Sequence, residues 1–232
     1  MTLSPILSYY PLEFFLFAHT LKEIHQSMLE VTNLDCVRGD RKLFSDINLS
    51  LHPGTFLQLQ GANGSGKTSL LRILCGLLAP ARGEVRWQGA NICSLGEEYF
   101  TAVTYIGHRN GVKEELTSLE NHRINNGLAG LELTKEEALE HLEKMGLAGR
   151  ENLPARLLSE GQRRRLALSR LLSSSTRLWL LDEVLTSLDR AAVTLITSVI
   201  EAHLKSGGMA VVATHQELNL AAGSFERLQL TS

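Results

Sequence analysis

Eight consecutive residues, Gly61-Ala62-Asn63-Gly64-Ser65-Gly66-Lys67-Thr68, have the spacing G-x-x-x-x-G-K-[ST], which suits a chain of phosphates. Glycines let the backbone bend so that successive N–H groups converge on phosphate oxygens. A helix starting at the end of the loop adds its positive N-terminus to the same anion. Lys67 would reach the β- and γ-phosphates, and the Thr68 hydroxyl would ligate Mg²⁺, a hard cation that takes oxygen ligands. Further candidates lie far downstream. Asp182 and Glu183 follow the apolar run Leu178-Trp179-Leu180-Leu181, and His215 follows Met209 to Thr214. At the carboxyl end of a buried strand, Asp182 can complete the Mg²⁺ shell with Thr68, while Glu183 can orient or polarise water against the γ-phosphate. Helix capping is the plainer use of such a carboxylate pair, and structural hydrogen bonding that of a lone histidine. The phosphate loop upstream favours chemistry for both, with His215 touching the γ-phosphate.

These residues need a strand–loop–helix scaffold, and the periodicity supplies one. Phe56 to Gln60 reads as a buried strand before the loop, and Lys67 to Leu78 carries leucines and an isoleucine at helical spacing. Segments 29 to 37, 43 to 51 and 56 to 60, separated by charged or Pro-Gly turns, suggest antiparallel strands leading into the loop. Glu84 to Gly89 reads as a strand and tight turn, and Val103 to Gly107 as a strand delivering His108. From about 116 to 172 the period becomes helical. Thr117 with Glu120 and Thr134 with Glu137 have capping-box spacing, and the second helix runs to about Met145 before Gly146. A helix over Gln162 to Leu172 opens on Arg163-Arg164-Arg165, where a solvated face is the expected role for at least Arg164. Ser159 and Gly161 make a second anion-receptive helix start. Strand and helix then alternate over 177–182, 189–205 and 209–214.

Length and composition bound the rest. The chain has 232 residues, a net charge of −2 and 44% hydrophobic residues, enough for one large folded unit and no basic stripe for nucleic acid. Cys36, Cys75 and Cys93 have no C-x-x-C spacing, which argues against a zinc site or disulfide framework. No stretch reaches the roughly 20 apolar residues a membrane helix needs. Residues 1–27 differ in texture, with five of the eleven phenylalanines and tyrosines between Tyr9 and Phe17. They read either as an extension ahead of a start at Met28, with the working domain at 28–232, or as a short amphipathic segment for a membrane or partner.

Taken together, the phosphate loop, Leu158-Ser159-Glu160-Gly161-Gln162, the Leu178 to Glu183 strand, Ser187-Leu188-Asp189 and His215 resemble the ATP-binding cassette (ABC) ATPases, the motor domains of membrane transporters. The resemblance spans about 29 to 232. It implies an α/β P-loop NTPase of ABC type, with a mixed sheet core, an antiparallel β subdomain and an inserted helical subdomain. ATP would be held by Gly61, Ala62, Asn63, Gly64, Ser65, Gly66, Lys67, Thr68 and Ser69, with Mg²⁺ on Thr68 and Asp182. Glu183 and His215 would be catalytic. A head-to-tail homodimer would bring Ser159, Gly161, Gln162 and Asp189 to the ATP of the other copy, and an integral membrane permease subunit would receive the motion. Three positions depart from the family. His108 stands where Gln is usual, in the loop that contacts the membrane subunit; Val184 replaces Pro; and Arg38 stands near where an aromatic stacks on adenine, so that its guanidinium plane would serve.

With those departures, Thr104 to Lys113, Leu116 to Asn121, Val85 to Gly89 and Thr214-His215-Gln216 resemble the ATPase subunits of haem exporters in bacterial cytochrome c maturation. That resemblance implies a place on the cytoplasmic face of the inner membrane, beside haem-handling maturation proteins, with either haem moved or a haem-loaded chaperone released. No C-x-x-C-H site for haem is present. Another ABC exporter, a soluble ABC ATPase acting on nucleic acid and a small-molecule kinase are the competing readings.

Overall fold

The computed structural model of the chain describes residues 28–216, 218, 220–221 and 223–231. The expected extension at 1–27 lies outside the described residues. Two sheets carry the architecture. Strands β1 (Leu29–Arg38), β2 (Arg41–Leu51), β4 (Arg82–Trp87) and β5 (Ala90–Asn91) form an antiparallel sheet in the order β2-β1-β4-β5. Strands β3 (Thr55–Gln60), β6 (Val103–Ile106), β7 (Leu178–Asp182), β8 (Met209–Ala213) and β9 (Ser224–Gln229) form a parallel sheet in the order β6-β7-β8-β3-β9. Parallel and antiparallel pairing thus mix between sheets rather than within one.

Both faces of the parallel sheet are covered, which is why its central strands read as unbroken apolar runs. Every residue of β7 and β8 is buried. Leu178, Leu180, Met209, Val211 and Ala213 pack on one face with β1 and with α1 (Lys67–Leu74). Trp179, Leu181, Ala210 and Val212 pack on the other with Ile196, Ile200 and Leu204 of α7 (Arg190–Lys205) and with the helical lobe. That lobe holds α4 (Ser118–Leu128), α5 (Lys135–Lys144) and α6 (Glu160–Leu168), while short α2 (Ile92–Leu95) and α3 (Glu97–Thr101) precede β6. Thr117 and Thr134 close the capping boxes that their spacing announced.

Three expectations need correction, and one strand was missed. Segment 56–60 belongs to the parallel sheet, because β3 pairs with β8 and β9 and not with β2. The helix after the loop stops at Leu74, where Cys75 caps it and Gly76 turns left-handed at φ 75°. The helix expected over 162–172 runs from Glu160 to Leu168 and tightens into a 3₁₀ turn, Ser169–Leu172. Strand β9 had no expectation at all; as a short edge strand with residues such as Glu226 and Arg227, it lacks an apolar signature.

The lobe encloses a polar centre. Ser169 Oγ lies 2.7 Å from His122 Nδ1, and His122 Nε2 lies 3.1 Å from His141 Nδ1. His122 is 1% exposed, and burial, with His141 adding to it, pushes its pKa down from 6.5 to about 4. Between those values the unfolded chain takes up a proton that the folded chain refuses, so stability falls as pH falls, by on the order of 3 kcal/mol once both values are passed. The melting temperature is expected to be flat above about pH 6.5 and to drop toward pH 4, and His122→Gln to shallow that drop. A wild-type melting temperature constant across this range would refute the effect.

Candidate nucleotide site at the carboxyl edge of the parallel sheet

The phosphate loop leaves the carboxyl end of β3, Asp182 and Glu183 that of β7, Gly107 and His108 that of β6, and Thr214 and His215 that of β8. Parallel pairing therefore collects onto one sheet edge residues that lie up to 154 positions apart in the chain (215 − 61). A cleft of about 560 Å³, within the range of small-molecule sites, is lined by Arg38, Arg41, Leu43, Asn63, Gly64, Gly66, Lys67, Thr68, Ser69, His108, Asp182 and Glu183. Of the expected nucleotide residues it gathers Arg38, Asn63, Gly64, Gly66, Lys67, Thr68 and Ser69. Arg41 and Leu43 were not anticipated; they arrive because the β1–β2 hairpin turns at Gly39-Asp40 and pairs Arg38 with Arg41.

The loop geometry suits an anion. Gly66, the N-cap of α1, has φ 104°, and a Cβ there would stand 2.9 Å from the Phe44 ring, so glycine is required twice over. No side chain caps α1, and its first turn holds no acid, which leaves its N–H groups for a ligand. Lys67 is buried; its Nζ donates to the carbonyls of Gly61 at 2.7 Å and Ala62 at 3.2 Å and lies 3.4 Å from His215 Nε2. His215 itself is exposed and lines a neighbouring hollow with Gly61 and Ala62.

The two carboxylates differ in kind. Asp182 is 1% exposed; burial raises its pKa, a hydrogen bond with Thr68 opposes the rise, and its Oδ2 has no hydrogen-bond partner among the described residues. A buried, unpartnered carboxylate oxygen beside a hydroxyl is a donor set that fits Mg²⁺. Glu183 is held in the left-handed region at φ 51°, a strain of about 1–3 kcal/mol for a residue other than glycine. Glu183 N–H donates to the Ala213 carbonyl at 2.9 Å, and the Thr186 hydroxyl donates to the Glu183 carbonyl at 2.8 Å. Glu183 Oε2 ends 4.0 Å from His108 Nδ1, across the mouth of the cleft.

Ser159, Gly161, Gln162 and Asp189 are not among the residues lining this cleft. Within the chain they have local work: Ser159 and Gln162 close a capping box on α6, and Asp189 accepts from Ala192 N–H to cap α7. A Cβ on Gly161 would come 2.9 Å from the Ser187 carbonyl, so glycine lets the 184–189 loop approach the start of α6. The arginine run corrects the solvated-face expectation. Arg163 pairs with Glu160, Arg165 donates to the Met145 and Gly146 carbonyls at the end of α5, and Arg164 is 2% exposed. Successive helical residues point about 100° apart, so three in a row cannot share one solvated face of a packed helix. That geometry was the available signal.

Residues 44–186 match the family model described as ABC transporter. The cytochrome c biogenesis ATP-binding export protein CcmA of Nitrosospira multiformis is 57% identical over 203 residues, covering 88% of this chain and 98% of that protein. The protein of the same name from Nitrosomonas europaea is 51% identical, covering 88% and 96%. Among solved structures, an ATP-binding cassette in a dimeric post-hydrolysis state with ADP and Pi superposes with a TM-score of 0.70 at 24% identity, covering 82% of this chain and 88% of that one. The ADP conformation of an ATP-binding cassette of an ABC transporter gives 0.69 at 21% identity, covering 83% of each. At those identities the solved structures carry the fold alone.

Proposed function

The chain belongs to the ABC transporter family, among the cytochrome c biogenesis ATP-binding export proteins, and on that premise we propose that it is the ATP-hydrolysing subunit of a membrane exporter serving the attachment of haem to c-type cytochromes. The observation that carries hydrolysis is the meeting, in one cleft, of Lys67 and Thr68 with the unpartnered oxygen of Asp182 and the strained Glu183. The phosphate loop and the N-terminus of α1 bind the triphosphate, and Lys67 exchanges a loop carbonyl for a phosphate oxygen. Thr68 and Asp182 would hold Mg²⁺, which supplies charge neutralisation on the phosphates. Glu183 orients the attacking water, with His215 beside Lys67 at the γ-phosphate end.

The site is completed by a second copy, whose Ser159, Gly161, Gln162 and Asp189 face the bound ATP head to tail. The exposure of Ser159 and Asp189, away from the chain's own cleft, supports this. A membrane permease subunit is received where a groove of about 640 Å³ runs between α3, β6 and the end of α4, beside exposed Phe100, Ile124 and Leu128. Its motion reaches the site through the loop carrying His108, whose side chain is 72% exposed. No helix among the described residues is long and apolar enough to cross a membrane, which fits a peripheral subunit on the cytoplasmic face held by that permease.

In cells whose only copy carries Glu183→Gln or Lys67→Ala, at normal protein levels, covalent haem on membrane c-type cytochromes is expected to fall below about a tenth of wild type, as the loss of a hydrolytic step requires. Unchanged haem staining in both would remove cytochrome maturation and leave an ABC motor for another cargo.

A further inference from the structure

Arg164 is a buried cation whose neighbours are the backbone of the site. Its Nε donates to the Val184 carbonyl at 3.1 Å, and its Nη2 to the carbonyls of Glu183 at 2.9 Å and Asp182 at 3.3 Å. Its Nη1 donates to the carbonyls of Gly107 at 3.2 Å and His108 at 3.3 Å and to Asn110 Oδ1 at 2.8 Å. Six oxygens thus share the five N–H groups of one guanidinium. None of the six belongs to a carboxylate. Asn110 continues outward, donating through Nδ2 to Glu160 Oε1 at 3.1 Å.

Three separate segments meet at this group: the start of α6, the carboxyl end of β7 with Glu183, and the 107–110 loop with His108. A cation taken out of water is tolerated only where hydrogen bonds replace its hydration, and here the replacement is the peptide backbone on either side of Glu183. Such a group fixes its acceptors in direction as well as distance, because the fork is planar and rigid. Scaffold stability alone does not call for that pattern; an apolar side chain would fill the same space without a buried charge. Other bonds already pin the Glu183 backbone from the β8 and 186 sides, at its N–H and its carbonyl. Arg164 holds it from the α6 side and ties it to the loop.

We propose that Arg164 is a positioning residue for ATP hydrolysis, holding Glu183 in its water-orienting placement and coupling that placement to the 107–110 loop and the start of α6. The proposal rests on the assignment of Glu183 to the attacking water. Arg164 is not among the residues lining the cleft; it acts through the backbone of Glu183, which is. Its loss should therefore lower kcat while leaving nucleotide binding, which depends on the phosphate loop, in place. Lysine keeps the charge but cannot fork to both the β7 end and the loop, so it should not restore the rate.

The test is steady-state ATP turnover, KM for ATP and melting temperature of the full-length chain purified with its membrane partner, for wild type, Arg164→Gln, Arg164→Lys, Asn110→Ala and Glu183→Gln. Arg164→Gln is expected to lose about 100-fold in kcat, the scale of a misplaced reacting group, with KM within about threefold. Arg164→Lys should recover less than about a tenth of the wild-type rate. Asn110→Ala removes only the outermost partner of the fork and should lower kcat about fivefold with melting temperature and KM unchanged. A kcat within about threefold of wild type in Arg164→Gln, or kcat and KM deteriorating together as the protein melts earlier, would overturn the proposal. Should the Arg164 variants not fold, an unchanged kcat in Asn110→Ala overturns it. Turnover retained in Glu183→Gln is a different failure, removing the reading of the site on which the proposal stands.

Discussion

Glu183→Gln is expected to bind Mg·ATP as wild type does, to hydrolyse it about 10²- to 10⁴-fold more slowly, and to accumulate as an ATP-dependent dimer. On the proposed site, binding would depend on groups the substitution leaves alone: the uncapped start of α1, Lys67, and the Thr68 and Asp182 oxygens. Gln has the same length and the same backbone, so the left-handed φ of 51° and its pins to Ala213 and Thr186 persist. What is lost is a carboxylate that can accept a proton from water while it attacks the γ-phosphate. With that step blocked, two copies clamped on ATP have no route to reopening, and light scattering with and without ATP reads the result. Steady-state hydrolysis near the wild-type rate would refute the role of Glu183, and the water would have to be oriented by another group.

Lys67→Ala is expected to fail earlier in the cycle, with Mg·ATP affinity reduced about 100-fold, or about 3 kcal/mol, as suits a charge-assisted contact in a mostly buried site. Lys67 Nζ lies 2.7 Å from the Gly61 carbonyl, held by the loop whose ligand it is proposed to contact. Removing it takes away a positive charge at the phosphates and a donor to Gly61 and Ala62 together, so no ATP-dependent dimer should form. Calorimetric titration with Mg·ATP separates the variants: Glu183→Gln binds and does not turn over, whereas Lys67→Ala does neither at ordinary nucleotide concentrations. Affinity within about threefold of wild type would confine Lys67 to bracing the loop.

The phosphate loop and the capping boxes were legible because each is local. Gly66 must be left-handed for the backbone to turn beneath a phosphate, and Thr117 meets Glu120 whatever surrounds them. Asp182 and Glu183 were legible for a related reason: a strand buried on both faces leaves an unbroken apolar run, and the first charges after it mark its end. Strand β3 was misplaced because apolar spacing does not encode the partner; its pairing with β8, some 150 residues on, is settled by the closing of the parallel sheet. Strand β9 was missed because an edge strand buries too little to be apolar.

By itself the sequence determined the phosphate-loop pattern and the capping-box helix starts at Thr117 and Thr134, and it supplied the residues proposed for hydrolysis, since these depend on side-chain types at short fixed spacings. Only the tertiary structure decided which arginine of 163–165 enters the interior. It also decided that Arg41 and Leu43 line the cleft, that Asp182 keeps an oxygen unpartnered among the described residues, and that Glu183 is strained. Each of these depends on what a distant segment places against the residue. The backbone oxygens that gather around Arg164 come from residues 107–110 and 182–184, and no local pattern within α6 records them.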